Sequence, residues 1–149
     1  MMHHLFHNLW QHTRALCFDS CEYVIVQYID SNNDGIATCI LAKGSEDTCH
    51  IHPRDIFRLA VRLGAHALVL AHTHPSGNAS PSDADRVATK TLEQAARSLR
   101  IPLLGHIILT RDRWKIVESG GKQCLSMIQY SDFSPTPRAF TCIVQKPAV

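Results

Sequence analysis

His72-Thr73-His74-Pro75-Ser76-Gly77-Asn78-Ala79-Ser80-Pro81-Ser82-Asp83-Ala84-Asp85 follows directly on Ala65-His66-Ala67-Leu68-Val69-Leu70-Ala71, and the join between the two decides how the chain is read. The upstream run is short, continuous and apolar, the pattern of a buried strand. His72 and His74 stand at i and i+2, so in an extended chain they project from one side. They fall at the strand's C-terminal end, where open α/β sheets place their chemistry. A loop bearing proline and glycine follows, and Ser82-Asp83-Ala84-Asp85 opens a helical pattern. Two imidazoles and a carboxylate suit a catalytic zinc, whose fourth position stays open for water. His72, His74 and Asp85 are therefore the candidate metal ligands. Each residue also has a plainer reading. A histidine after an apolar strand is ordinarily a satisfied polar residue, Ser82 is a good helix N-cap, and Ser82 with Asp85 forms a capping box with Asp in place of Glu. The spacing of all four together favours the metal site, and a capped helix N-terminus can orient a ligand at the same time.

His-x-His, seven residues, Ser, two residues and Asp resembles the signature of the JAMM metalloproteases, also called MPN-plus or JAB. The wording His-Thr-His-Pro-Ser-Gly, with Pro81-Ser82 and then Leu103-Leu104-Gly105-His106, is similar to the bacterial RadC branch, over about Cys21 to about Glu118. That resemblance implies a zinc on His72, His74 and Asp85 and an oxyanion donor at Ser82. It also implies a general base at a glutamate that opens an early strand after the N-terminal helix. Glu22 has that placement; read alone, it is a solvated strand-end carboxylate. Glu46, in a polar loop, ranks behind it. The implied activity is a zinc-dependent hydrolase cleaving peptide or isopeptide bonds, because zinc lowers the pKa of a water from about 15.7 towards 7. A different class of function is also open: a non-catalytic zinc-binding interaction module, associated through the family name with DNA repair. A metal-dependent deaminase is set aside, since the Pro-Cys-x-x-Cys it needs is missing.

The chain departs from the RadC pattern in three places. Gly105 replaces the usual Asp before His106; an Asp supporting a ligand from behind would be missed. Thr38-Cys39-Ile40 is neutral where relatives often carry acidic residues. There is no room for a helix-hairpin-helix region, so the chain reads as a bare JAB-type domain.

With 149 residues, 45% hydrophobic and 19% charged, the chain has the balance of one globular domain. A net charge of +2 is too mild to imply nucleic acid. Arg54, Arg58 and Arg62 recur at i+4 spacing and could face phosphates, but without an aromatic platform they read more simply as the solvated face of a helix. No apolar run approaches the roughly 20 residues that span a bilayer, and Met1 to His7 lacks a secretory pattern; a cytoplasmic protein is expected. The six cysteines form no Cys-x-x-Cys pair and read as reduced, largely buried thiols. Four of the ten histidines (His3, His4, His7, His12) fall in the first dozen residues and could bind metal adventitiously.

In chain order, the patterns predict a helix from Leu5 to Leu16, then a hairpin of Cys21–Ile29 and Ile36–Ala42 around Asp34-Gly35. A helix from Pro53 follows, with Ile56, Leu59, Ala60 and Leu63 inward and Gly64 ending it. After the apolar strand, a helix from Ser82 to Leu99 should turn Val87, Thr91, Leu92, Ala95 and Leu99 inward. Strands at Pro102–Leu109 and Trp114–Val117 follow, and Phe140–Val144 could add an edge strand. The expected fold is an α/β single-domain sandwich with a mixed β-sheet and flanking helices, similar to the JAMM (cytidine-deaminase-like) fold. The expected organisation is an N-terminal helix over 1–20, the metal-binding domain over 21–119 and a tail over 120–149. The substrate peptide or protein is not specified, nor is the oligomeric state; a homodimer through the tail after Gly121 is one option.

Overall fold

A computed structural model describes residues 2–44 and 51–118 and the backbone of 143–145. Its central strand, β3 (Ala67–Thr73), has all seven side chains buried, as a continuous apolar run requires when both faces of a sheet are covered. β1 (Tyr23–Ile29) runs antiparallel to β3 on one side, with Val24 opposite His72 and Val26 opposite Leu70. β4 (Leu103–Leu109) runs parallel to it on the other, pairing Leu70 with His106. β2 (Gly35–Lys43), β5 (Trp114–Ile116) and β6 (Ile143–Gln145) complete a mixed sheet in the order β5-β4-β3-β1-β2-β6. β6 lies parallel to β2 at that edge.

Three helices among the described residues make this an α/β sandwich. α1 (Met2–Thr13) continues into a 3-10 turn over Arg14–Phe18. Phe6, Leu9, Trp10 and Cys17 pack there on Ile25, Val69 and Ile107 of one sheet face. The Trp10 indole N–H donates to the Thr110 carbonyl at 2.8 Å, tying α1 to the end of β4. α2 (Pro53–Leu63) and α3 (Asp83–Leu99) cover the other face. α2 begins on Pro53 and is closed by Gly64 at φ 63, a left-handed conformation that glycine adopts without a Cβ penalty. Ile56, Phe57 and Ala60 are its buried residues; Phe57 belongs to the inward set although the periodicity did not place it there. Arg54, Arg58 and Arg62 lie on the exposed side, Arg58 3.5 Å from Asp55.

The inward face expected for α3 needs correction. Thr89, Leu92 and Ala96 are buried, whereas Val87 is 67% and Leu99 48% exposed, and Thr91 is exposed as well. Val87 stands two residues, roughly 200° of helix rotation, from Thr89. The helix phase is set by Asp85 and Thr89, polar residues that face inward, so counting apolar positions alone picked a displaced stripe.

β4 presents opposite faces at neighbouring positions. His106 points to the α2/α3 side, and at Gly105 an added Cβ would stand 2.6 Å from Phe6 Cζ of α1. Position 105 thus lies against the N-terminal helix and away from the histidines. A missing Asp there removes nothing from behind them, which answers the concern raised by that departure. Among the described residues, Cys17, Cys21 and Cys39 are free thiols, with Cys17 and Cys39 buried. Burial pushes the Cys17 thiol up to about 11 despite the nearby Arg111 and Arg14. Cys49, Cys124, Cys142 and Glu46 lie outside the described residues. No helix among the described residues is long and apolar enough to cross a membrane.

Gly105→Ala should destabilise the protein by about 1–3 kcal/mol through overpacking against Phe6. The Phe6→Leu/Gly105→Ala double variant should recover part of that loss. Urea unfolding of the single and double variants measures the coupling, and strict additivity would contradict the contact.

Candidate metal centre

β3 delivers His72 on the α2/α3 side of the sheet, buried and opposite Val24. His74 lies just past the strand end, anchored by its backbone N–H to the Leu109 carbonyl at 2.9 Å. The chain then reverses through His74–Gly77, where the Gly77 N–H returns to the His74 carbonyl at 3.1 Å and Gly77 takes φ 81. The loop ends at Ser82, which caps α3: its Oγ accepts the Asp85 backbone N–H at 3.1 Å, and its own N–H donates to Asp85 Oδ2 at 2.7 Å. The capping box is therefore real, and it aims the Asp85 carboxylate at the histidines. His72 Nε2 lies 3.1 Å from Asp85 Oδ1, His74 Nε2 lies 3.7 Å from Asp85 Oδ2, and the two Nε2 atoms are 2.7 Å apart. Among the described residues, these three form the group arranged to hold a metal ion. Their separations straddle the roughly 3.3 Å edge of a tetrahedron whose ligands stand about 2.0–2.1 Å from a zinc. The donor set fits.

Hydrogen bonds behind the cluster settle which ring nitrogens face it. The Thr89 hydroxyl donates its one hydrogen to the Asp85 carbonyl at 2.6 Å. It can then only accept at its second contact, 2.7 Å from His106 Nδ1. Burial, followed by the charge of His72, holds the His106 pKa well below its usual value, so the ring is neutral. A neutral ring protonated at Nδ1 has a bare Nε2, and that atom sits 2.7 Å from His72 Nδ1. His72 must therefore donate from Nδ1, which leaves Nε2 as the ring atom facing the cluster. His74 reaches the same state by a shorter route, because its Nδ1 lies 2.8 Å from the Asn78 carbonyl, which can only accept. Burial and then His72 lower the His74 pKa. Burial opposes ionisation of Asp85, but the hydrogen bond and charge of His72, with the Ser82 N–H and hydroxyl, outweigh it and hold the carboxyl below the usual range.

His106 and Thr89 were missed as functional residues. The sequence signals were a lone histidine in an otherwise apolar strand and a threonine one helical turn after Asp85. Joining them required the parallel register of β3 and β4. Ser82 and Glu22 both line the cavity that holds the cluster, a space of about 480 Å³. Glu22 stands immediately before β1, its carbonyl accepting the Gly44 N–H at 2.8 Å. The histidines of α1 lie elsewhere, His3 and His7 stacking beside Trp114 and Trp10.

A mixed sheet carrying a His-His-Asp cluster at the end of its central strand defines a JAB-type domain with the makings of a metal centre. A family model described as the RadC-like JAB domain matches residues 2–121, and the chain belongs to that family. A UPF0758 protein of Chlorobium chlorochromatii is 36% identical over 96 residues, covering 64% of this chain and 43% of that protein. One from Picosynechococcus is 42% identical over 99 residues, covering 66% and 41%. One from Thermotoga maritima is 35% identical over 103 residues, covering 69% and 46%. The chain thus spans less than half the length of these relatives.

Thr89→Val keeps the shape of the side chain but removes the acceptor for His106. Divalent-metal affinity, read by competition with a chromophoric chelator, should fall about 10–100-fold, and Thr89→Ser should restore most of it. The depressed histidine pKa values also predict acid sensitivity. Below the usual histidine value of about 6.5, the unfolded chain binds more protons than the native state at His74 and His106, so stability falls as pH drops through that value. The lowered Asp85 adds stability that is present above about pH 3.9 and is lost only further down. A urea midpoint that stays flat from pH 8 to 5 would contradict the histidine part.

Proposed function

We propose that the protein is a zinc-dependent hydrolase of peptide or isopeptide bonds. The observation that carries this reading is the convergence of three donors, His72 Nε2, His74 Nε2 and the Asp85 carboxylate, in a cavity that Glu22 and Ser82 also line. Bound there, zinc would supply Lewis acidity, acidifying a water and polarising a carbonyl. Glu22 then takes the proton of the attacking water and passes it to the leaving amine, the general acid–base role of a carboxylate beside the reacting centre. The capping bonds use the Ser82 oxygen as an acceptor, so its hydroxyl hydrogen can donate to the carbonyl oxygen as negative charge develops.

The alternative, a zinc-binding interaction module without turnover and tied to DNA repair, was favoured by Gly105 and by the unspecified substrate. Position 105 faces Phe6, so the unspecified substrate is the ground left to it. Nucleic-acid contact through Arg54, Arg58 and Arg62 has only their exposure in its favour.

Elemental analysis of tag-free protein should find about one zinc per chain, lost in both His72→Ala and Asp85→Ala. Glu22→Ala should keep the zinc and lose hydrolysis, with kcat down at least 100-fold, across a panel of peptides and isopeptide-linked substrates. Zinc that survives both ligand changes, or turnover that survives Glu22→Ala, would refute the assignment.

A further inference from the structure

The cavity lining is of two kinds: polar at the metal cluster, and apolar on residues that strand register and helix pitch place beyond it. Val24 and Leu70 belong to the apolar part. Val24 is the cross-strand partner of His72, and Leu70 precedes His72 by two residues on the same face of β3. Leu92, two helical turns beyond Asp85 on α3, lines it too, with the small, exposed Ala84 and Ala88 on the same helix. Ile51 lies on the side towards α2. Strand register and helix pitch therefore fix this apolar arm relative to the ligand imidazole. Among the described residues, the formal charges on the cavity wall are Glu22 and Asp85, and the lining contains no lysine or arginine. An anionic group entering this apolar arm would be desolvated with no cationic partner among the described lining residues, whereas an aliphatic one would trade water for Val24, Leu70 and Leu92.

We propose that this arm is a specificity subsite that seats an uncharged aliphatic side chain of the substrate beside the scissile bond, with Ala88 setting its width. The assignment rests on the hydrolase reading above, but it can be tested without turnover. Alkyl hydroxamates chelate zinc through one end and carry a variable chain at the other. Calorimetry on the zinc-loaded protein would compare acetohydroxamate, 4-methylpentanohydroxamate and the carboxylate-tipped monohydroxamate of succinic acid, with zinc retention checked afterwards. Burial of each added methylene should tighten binding roughly three- to four-fold. The branched probe should then bind at least tenfold more tightly than acetohydroxamate, and the carboxylate-tipped probe no more tightly. Ala88→Phe fills the arm and should bring the ratio of branched probe to acetohydroxamate to about one; Ala88→Leu should lower it part of the way. Acetohydroxamate binding with no gain from the branched chain, or a gain that survives Ala88→Phe, would overturn the subsite and leave the hydrolase reading standing. Failure of acetohydroxamate to bind zinc-loaded protein would overturn both.

Discussion

Asp85 holds the site and the helix in one arrangement. Its Oδ2 takes the Ser82 N–H, while its own backbone N–H goes to Ser82 Oγ. Such a cap contributes about 1 kcal/mol to helix stability, but its larger effect is geometric. Once the carboxylate is pinned to the cap and turned towards His72, the rotation of α3 has no freedom left. Thr89, one turn later, must arrive at His106, and Leu92 and Ala96 must enter the core formed with α2. Helix packing and ligand placement are thus two consequences of one contact pair.

The sheet divides the molecule's chemistry by the alternation of its strands. On one side, Phe6, Leu9 and Trp10 meet an apolar face; on the other, His72 and His106 sit among Val24, Leu70 and Leu92. Gly105 and His106 show the division at neighbouring positions. A side chain at 105 would enter the space of the Phe6 ring, and the next side chain supports the cluster. The N-terminal helix therefore influences the site only through β4, by fixing where that strand lies.

What the sequence made legible was local. His72 and His74 could be placed because alternation puts i and i+2 on one face, and Ser82 with Asp85 because capping spans three residues. The helices and strands followed from punctuation by Pro53, Gly64 and the Asp34-Gly35 turn. His106 and Thr89 were not legible, since their meeting depends on β4 pairing parallel to β3 and on the phase of α3. Val87 and Leu99 were misplaced for a related reason: apolar counting assumes that the inner face is apolar, and here its first turn carries Asp85 and Thr89. Glu22 came from family resemblance, and no spacing rule would have brought it to a cavity bounded by β3 and α3.

The hydrogen-bond chain Thr89, His106, His72 runs in one direction because it begins at a backbone carbonyl, an acceptor that no rearrangement can turn into a donor. That fixed end forces each later proton into place and presents His72 through Nε2; the Asn78 carbonyl does the same for His74. Two imidazoles and a carboxylate form a donor set of intermediate softness. Magnesium and calcium prefer oxygen ligands in greater number, and copper(I) prefers sulfur. The described thiols, Cys17, Cys21 and Cys39, do not line the cavity. Between zinc and its neighbours in the divalent series, affinity alone would favour copper(II), so discrimination falls to geometry. A small three-donor face, held on one side by a strand and on the other by a capped helix, would suit an ion content with four ligands.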